Sequence, residues 1–136
     1  MRFADANIFV RAVIGDDPAR KAACDDLFLN VDRGEVEIVT CEAVITEIVY
    51  VLSSRSRYGL SHEEIRARLS PLIRMRGLRL PGKQIYLEAL DVYASRPALD
   101  FEDAVCVAHM RQQGIDEILS YDKDFDRLPS VRRVEP

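Results

Sequence analysis

Four acidic residues, spread across the chain, carry its most promising chemistry. Asp5 closes the opening run Met1-Arg2-Phe3-Ala4. Glu47 lies inside the apolar stretch Ala43 to Leu52. Asp103 precedes the small-residue run Ala104-Val105-Cys106-Val107-Ala108, and Asp122 opens Asp122-Lys123-Asp124-Phe125-Asp126. Hard carboxylate oxygens suit Mg²⁺ or Mn²⁺. Crowded carboxylates raise one another's pKa unless a cation intervenes. A divalent ion removes that repulsion, lowers the pKa of water and offsets charge on a phosphate during in-line displacement.

Each acid also has a plainer use. Asp5 and Asp122 suit helix N-caps or solvent contacts. Glu47 would be costly to bury unpaired, so it is functional, on an exposed helix edge, or matched by an arginine. Asp100 and Asp103, three apart, share a face near a helix start, where Asp100 suits the cap and Asp103 favours the dipole. Asp103 stands next to the apolar stripe rather than opposite it, which weakens that plainer reading.

Other chemistries fail on spacing. An EF-hand loop starting at Asp122 would have Arg127 where glycine is needed and Arg133 where glutamate is needed. No GxxxxGK[ST] or GxGxxG occurs, and no motif supports Ser-His-Asp chemistry. His62 and His109 stand far apart and read as surface or packing residues. Cys24, Cys41 and Cys106 are odd in number and form no CxxC, so buried reduced thiols are expected.

The elements that must position the acids follow from periodicity. A short strand is predicted over 2–5. A helix starts at Pro18 with Asp17 as cap, repeats Ala23, Leu27 and Val31, and stops at Gly34. Residues 36–40 alternate as a strand, and 42–54 form a helix with two adjacent apolar stripes. Ser61-His62-Glu63-Glu64 is a capping box opening a further helix, which Pro71 should kink or end. A strand near 78–80, helices near 83–94 and 101–113, a strand at 118–119 and a last one at 131–134 complete the chain. Strands alternating with helices imply an α/β fold with a parallel sheet covered on both faces, and ligands bind at the carboxyl ends of such strands. Asp5 and Asp122 fall at those ends.

The chain has 136 residues, 48% hydrophobic and 31% charged, which suits one domain over 1–136 with its own core. No linker, repeat or low-complexity segment interrupts it. No apolar run approaches the roughly 20 residues of a membrane span, and the acid at position 5 does not suit a signal peptide, so a cytoplasmic location is expected. The formal charge of −4 argues against strong nonspecific nucleic-acid binding. Its distribution is uneven, however: Arg55, Arg57, Arg66, Arg68, Arg74, Arg76 and Arg79 face only Glu63 and Glu64 in that stretch. Such a run is an RNA-backbone track, a partner surface or simply a solvated face.

Asp5-Ala6-Asn7-Ile8-Phe9, Thr46-Glu47-Ile48-Val49-Tyr50-Val51-Leu52, Asp100-Phe101-Glu102-Asp103-Ala104 and Leu119-Ser120-Tyr121-Asp122-Lys123-Asp124-Phe125 resemble, in order and spacing, the four acidic motifs of PIN-domain nucleases. The resemblance spans nearly the whole chain. Among PIN proteins, short single-domain chains most resemble VapC-type toxins of bacterial toxin–antitoxin pairs. The resemblance implies a three-layer sandwich with a central, mostly parallel sheet flanked by helices. It implies a Mg²⁺- or Mn²⁺-dependent endoribonuclease that acts on RNA, forms a homodimer and is held inactive by a VapB-like antitoxin. It places Asp5, Glu47, Asp103 and Asp122 in the catalytic tetrad. Asp5, Asp103 and Asp122 would be metal ligands, while Glu47 would hold or activate water. Asn7 and Ser120 match supporting polar positions, and Asp100 and Asp124 are auxiliary acids. The competing expectation is a non-catalytic PIN-fold module that binds RNA or a protein.

Overall fold

A computed structural model describes residues 1–136. Helices and short strands alternate: β1 (Arg2–Phe3), α1 (Ala6–Val13), α2 (Pro18–Asp32), β2 (Ile38–Val39), α3 (Glu42–Ser53), α4 (His62–Arg74), β3 (Leu78–Arg79), α5 (Lys83–Ser95), α6 (Phe101–Gln113), β4 (Glu117–Leu119), a 3-10 helix (Lys123–Arg127) and β5 (Arg132–Val134). Every strand pairing is parallel. The strands form two ladders, β1-β2-β3 with β2 central and β4-β5. The fold is thus the expected α/β sandwich of parallel strands flanked by helices, with the strands in two separate ladders.

Most boundaries follow local chemistry. Asp17 caps α2 by accepting the Arg20 amide at 3.2 Å, with Pro18 at the first helical position. Ser61 caps α4 by accepting the Glu64 amide at 3.2 Å. Gly114, at φ 67°, ends α6 in the left-handed conformation that glycine adopts without a steric penalty.

Three features differ from the sequence reading. Residues 6–13, to which it assigns no element, form α1, capped by Asp5. Pro71 does not end α4, which runs on to Arg74. The proline removes only the amide that would bond the Ala67 carbonyl, and both residues are exposed, so water can take that acceptor. All three cysteines are free as expected, but only Cys24 is buried; Cys41 is half-buried and Cys106 exposed.

One contiguous core joins these elements. Phe9 of α1 packs on Phe28 of α2 with ring centroids 5.2 Å apart. Ile45, Ile48 and Leu52 of α3, Ile65, Leu69 and Ile73 of α4, and Ala89 and Leu90 of α5 are fully buried. Phe125 and Leu128 bring the C-terminal segment into the same core. Gly77, just before β3, lets the chain pass so close that an added Cβ would lie 2.2 Å from the Val36 carbonyl oxygen.

The start of the chain is secured by one buried polar contact. Thr40, just after β2, is 1% exposed, and its hydroxyl donates to the Ala4 carbonyl at 3.1 Å. The Ala4 amide donates in turn to the Val39 carbonyl at 2.9 Å. Together they set the backbone that delivers Asp5. Thr40→Val removes the donor from a dry site, and urea unfolding is expected to show a loss of about 1–2 kcal/mol with an unchanged denaturant slope.

Candidate metal centre

Two segments, the start of α6 and the turn after β4, bring three carboxylates together. The first turn of α6 carries Asp103. The turn after β4 carries Asp122 and, two residues on, Asp124. One ligand oxygen from each lies within 4.8 Å of the others. Asp103 and Asp124 are half-buried, while Asp122 is exposed.

Local hydrogen bonds explain the placement. Asp100 is the N-cap of α6, and its carboxylate accepts the Asp103 amide at 2.8 Å. Ser120 accepts the Asp122 amide at 2.9 Å, and Asp122 accepts the Asp124 amide at 2.9 Å as cap of the 3-10 helix. Each capping bond occupies one carboxylate oxygen and leaves the other free, so cap and ligand roles are compatible. Arg133 of β5 braces this turn from behind. Its guanidinium donates to the Ser120 carbonyl at 3.0 Å and to Asp126 at 2.9 Å.

The electrostatics are those of an unneutralised site. The Asp103 carboxyl is raised from 3.8 to about 6, first by burial, then by the charge of Asp100 and of Asp122, by its hydrogen bond with Asp100, and by Asp124. No basic side chain offsets these influences. The Cys106 thiol, one turn along α6, is also pushed up, by burial and then by Asp103, Asp100 and Glu42.

Of the sequence-assigned residues, Asp103 and Asp122 meet, and Asp124, expected as an auxiliary, joins them. Asp5 and Glu47 stand outside this cluster. Asp5 is exposed and caps α1, accepting the Asn7 amide at 3.1 Å. Glu47 is exposed on α3, which buries Val44, Ile45, Ile48, Val49 and Leu52 instead. The burial penalty that made Glu47 conspicuous in sequence therefore does not act on it. Sequence reasoning also missed two residues. Glu42 acts on both Cys106 and the buried Tyr86 hydroxyl, yet it reads as an ordinary acid in the first turn of a helix. Arg133 lies on a terminal strand, with no local pattern to mark it.

The PIN domain family matches residues 2–131. The chain belongs to the PIN-domain family. Compared with solved structures, this PIN domain is similar to the Mycobacterium tuberculosis toxin VapC20, described as cleaving the sarcin-ricin loop, with 21% identity over 100% of each chain and a TM-score of 0.42. No curated protein matches it in sequence. No helix is long and apolar enough to cross a membrane.

The three aspartates fit a hard divalent cation. They offer only oxygen donors, and Asp103 holds a proton more tightly than usual because it is partly buried and faces the charges of Asp100 and Asp122. A carboxyl raised in the native state binds its proton better there than in the unfolded chain. Its contribution to stability is fully present below the ordinary value of 3.8 and is lost as pH rises through about 6. Asp103→Asn removes this titration. In chelator, urea unfolding is expected to show equal stability of variant and parent near pH 4. Near pH 7.5 the variant should gain about 1 kcal/mol, a figure discounted for solvent screening. A loss at pH 7.5 would make Asp103 a structural residue.

Proposed function

We propose that this PIN domain is a Mg²⁺- or Mn²⁺-dependent endoribonuclease, the toxin of a VapBC-type pair. The observation that carries the reading is the unneutralised cluster Asp103, Asp122 and Asp124, set at a helix start and a strand end within a PIN-family chain. Asp103 and Asp122 would hold the ion, with Asp124 as a third donor. The motif order assigns Asp5 as a further ligand and Glu47 to hold a water or accept its proton. Asp100 and Ser120 keep the two acid-bearing backbones in place through their amide contacts. Asn7 supports Asp5 through its amide. A divalent ion in this cluster supplies charge neutralisation to a phosphodiester and acidifies the attacking water.

The charge map supports a polyanionic partner. Arg66 is taken up by Asp91 at 2.8 Å and Glu63 at 3.1 Å, and Arg79 pairs with Glu37. Arg55, Arg57, Arg74 and Arg76 have no ion pair within the chain, leaving them for RNA phosphates or an acidic antitoxin segment. The protein would act in the cytoplasm as a homodimer restrained by a VapB-like antitoxin.

A non-catalytic RNA- or protein-binding module is the second reading, since Asp5 and Glu47 are not among the acids whose oxygens lie within 4.8 Å of one another. Incubation with single-stranded RNA separates the two. Cleavage is expected with Mg²⁺ or Mn²⁺ and none with chelator. Asp103→Asn and Asp122→Asn should each lower the rate by at least about 100-fold. RNA binding without cleavage under either metal overturns the enzyme reading. Full activity in Asp5→Asn and Glu47→Gln would confine the centre to the three clustered aspartates.

A further inference from the structure

A cavity of about 300 Å³ opens beside the carboxylate cluster, and neither capping nor ion binding uses it. Thr46, Tyr50 and Ser53 of α3 form one wall. His62 at the start of α4, Tyr93 of α5 and Leu99 before α6 line another part. Asp100 and Glu102 belong to the same lining. Since Asp100 also bonds the Asp103 amide at 2.8 Å, cavity and cluster share the N-terminal turn of α6.

The wall is aromatic. The His62 ring stacks on Tyr93 at 3.7 Å between centroids and 14° between planes, and its Nε2 bonds the Leu99 carbonyl at 2.9 Å. Tyr93 is also met edge-on by Phe101 at 5.7 Å. Tyr50, by contrast, is 69% exposed. A large ring with little burial of its own offers a free face to stack on.

The charges decide the kind of occupant. Asp100 and Glu102 repel an anion from this lining. A neutral, planar group with N–H donors on its edge suits both the carboxylates and the rings. Arg55 and Arg57 follow Ser53 by two and four residues and have no acidic partner within the chain. A strand of RNA combines these features: phosphates for the arginines and the centre, and bases that unstack readily onto tyrosine when single-stranded.

We infer that this cavity takes one unstacked nucleobase of single-stranded RNA, next to the phosphate at the carboxylate cluster, with Tyr50 as the stacking residue. The inference rests on the ribonuclease reading for its substrate. It assigns Tyr50 to binding and positioning rather than to the chemical step.

Two measurements test it. The first needs no cleavage. Saturation-transfer NMR with adenosine, cytidine, guanosine and uridine is expected to show contact with the parent protein, reduced in Tyr50→Ala and lost in Ala98→Trp, which fills the cavity from an exposed lining position. No transfer to any nucleoside overturns the inference, whatever the cleavage result. The second uses a short single-stranded RNA in which each base in turn is replaced by an abasic ribose. One abasic position beside the cut is expected to raise KM by at least about 5-fold in the parent and to have little further effect in Tyr50→Ala, while Tyr50→Phe stays near the parent value. Cleavage that is indifferent to every abasic position and to Tyr50→Ala overturns the inference while leaving the nuclease reading standing. Absence of all cleavage, with nucleoside contact intact, overturns the nuclease reading alone. Light scattering on Tyr50→Ala checks the other possible occupant: dissociation of a dimer would show that a second copy covers this face and would overturn the base assignment.

Discussion

Mutual repulsion among like charges is the constraint around which this molecule is arranged. Asp103, Asp122 and Asp124 have ligand oxygens within 4.8 Å of one another, and Asp100 adds its charge to theirs. In water, such groups would separate. Here they are held by a helix start and a tight turn whose amides are bound by Asp100, Ser120 and Asp122. Partial burial raises the Asp103 carboxyl most, and the charges of Asp100 and Asp122 push it further. A site of this kind stores an affinity for cations that the rest of the fold must tolerate in the free state.

The tolerance is built locally. Asp100, Asp122 and Asp5 each cap a helical segment through a single carboxylate oxygen. Capping stabilises the backbone by an amount on the order of 1 kcal/mol, which offsets part of the crowding. The Arg133 side chain is only 12% exposed and pairs with Asp126 and Glu135, not with the cluster. It secures the acid-bearing turn without neutralising it. A basic residue placed a few ångströms nearer would relieve the repulsion and with it the affinity for an ion.

The apolar helices serve the same end at longer range. α3 packs into the core through Ile45, Ile48 and Leu52, leaving Thr46, Tyr50 and Ser53 beside the N-terminus of α6. The aromatic wall formed by His62, Tyr93 and Phe101 joins α4, α5 and α6 at that point. Carboxylates and aromatic surface thus meet at the N-terminal turn of α6, while further along the helix Ala104, Val107 and Ala108 enter the core. This division gives a small chain a charged and a stacking surface side by side.

Much of this was legible in the residues alone. Asp17-Pro18, Ser61 and Gly114 mark helix ends because capping and left-handed geometry depend on a few neighbouring atoms. Strand and helix alternation implied parallel pairing, and the order of the acidic motifs pointed to the PIN family. Asp103 stood out because its place beside an apolar stripe follows from helical periodicity. Other features had no local signature. Glu47 looked buried by its neighbours, but which side of α3 faces water depends on what packs against it. That Asp124 lies beside Asp103 depends on how the turn after β4 approaches α6. Arg133 and the shared wall of Tyr50, His62 and Tyr93 bring together residues dozens of positions apart. Sequence determined which segments form and which carry acid, because those are properties of neighbouring residues. Tertiary packing decided which carboxylates meet, since only the folded core sets the distance between the start of α6 and the end of β4.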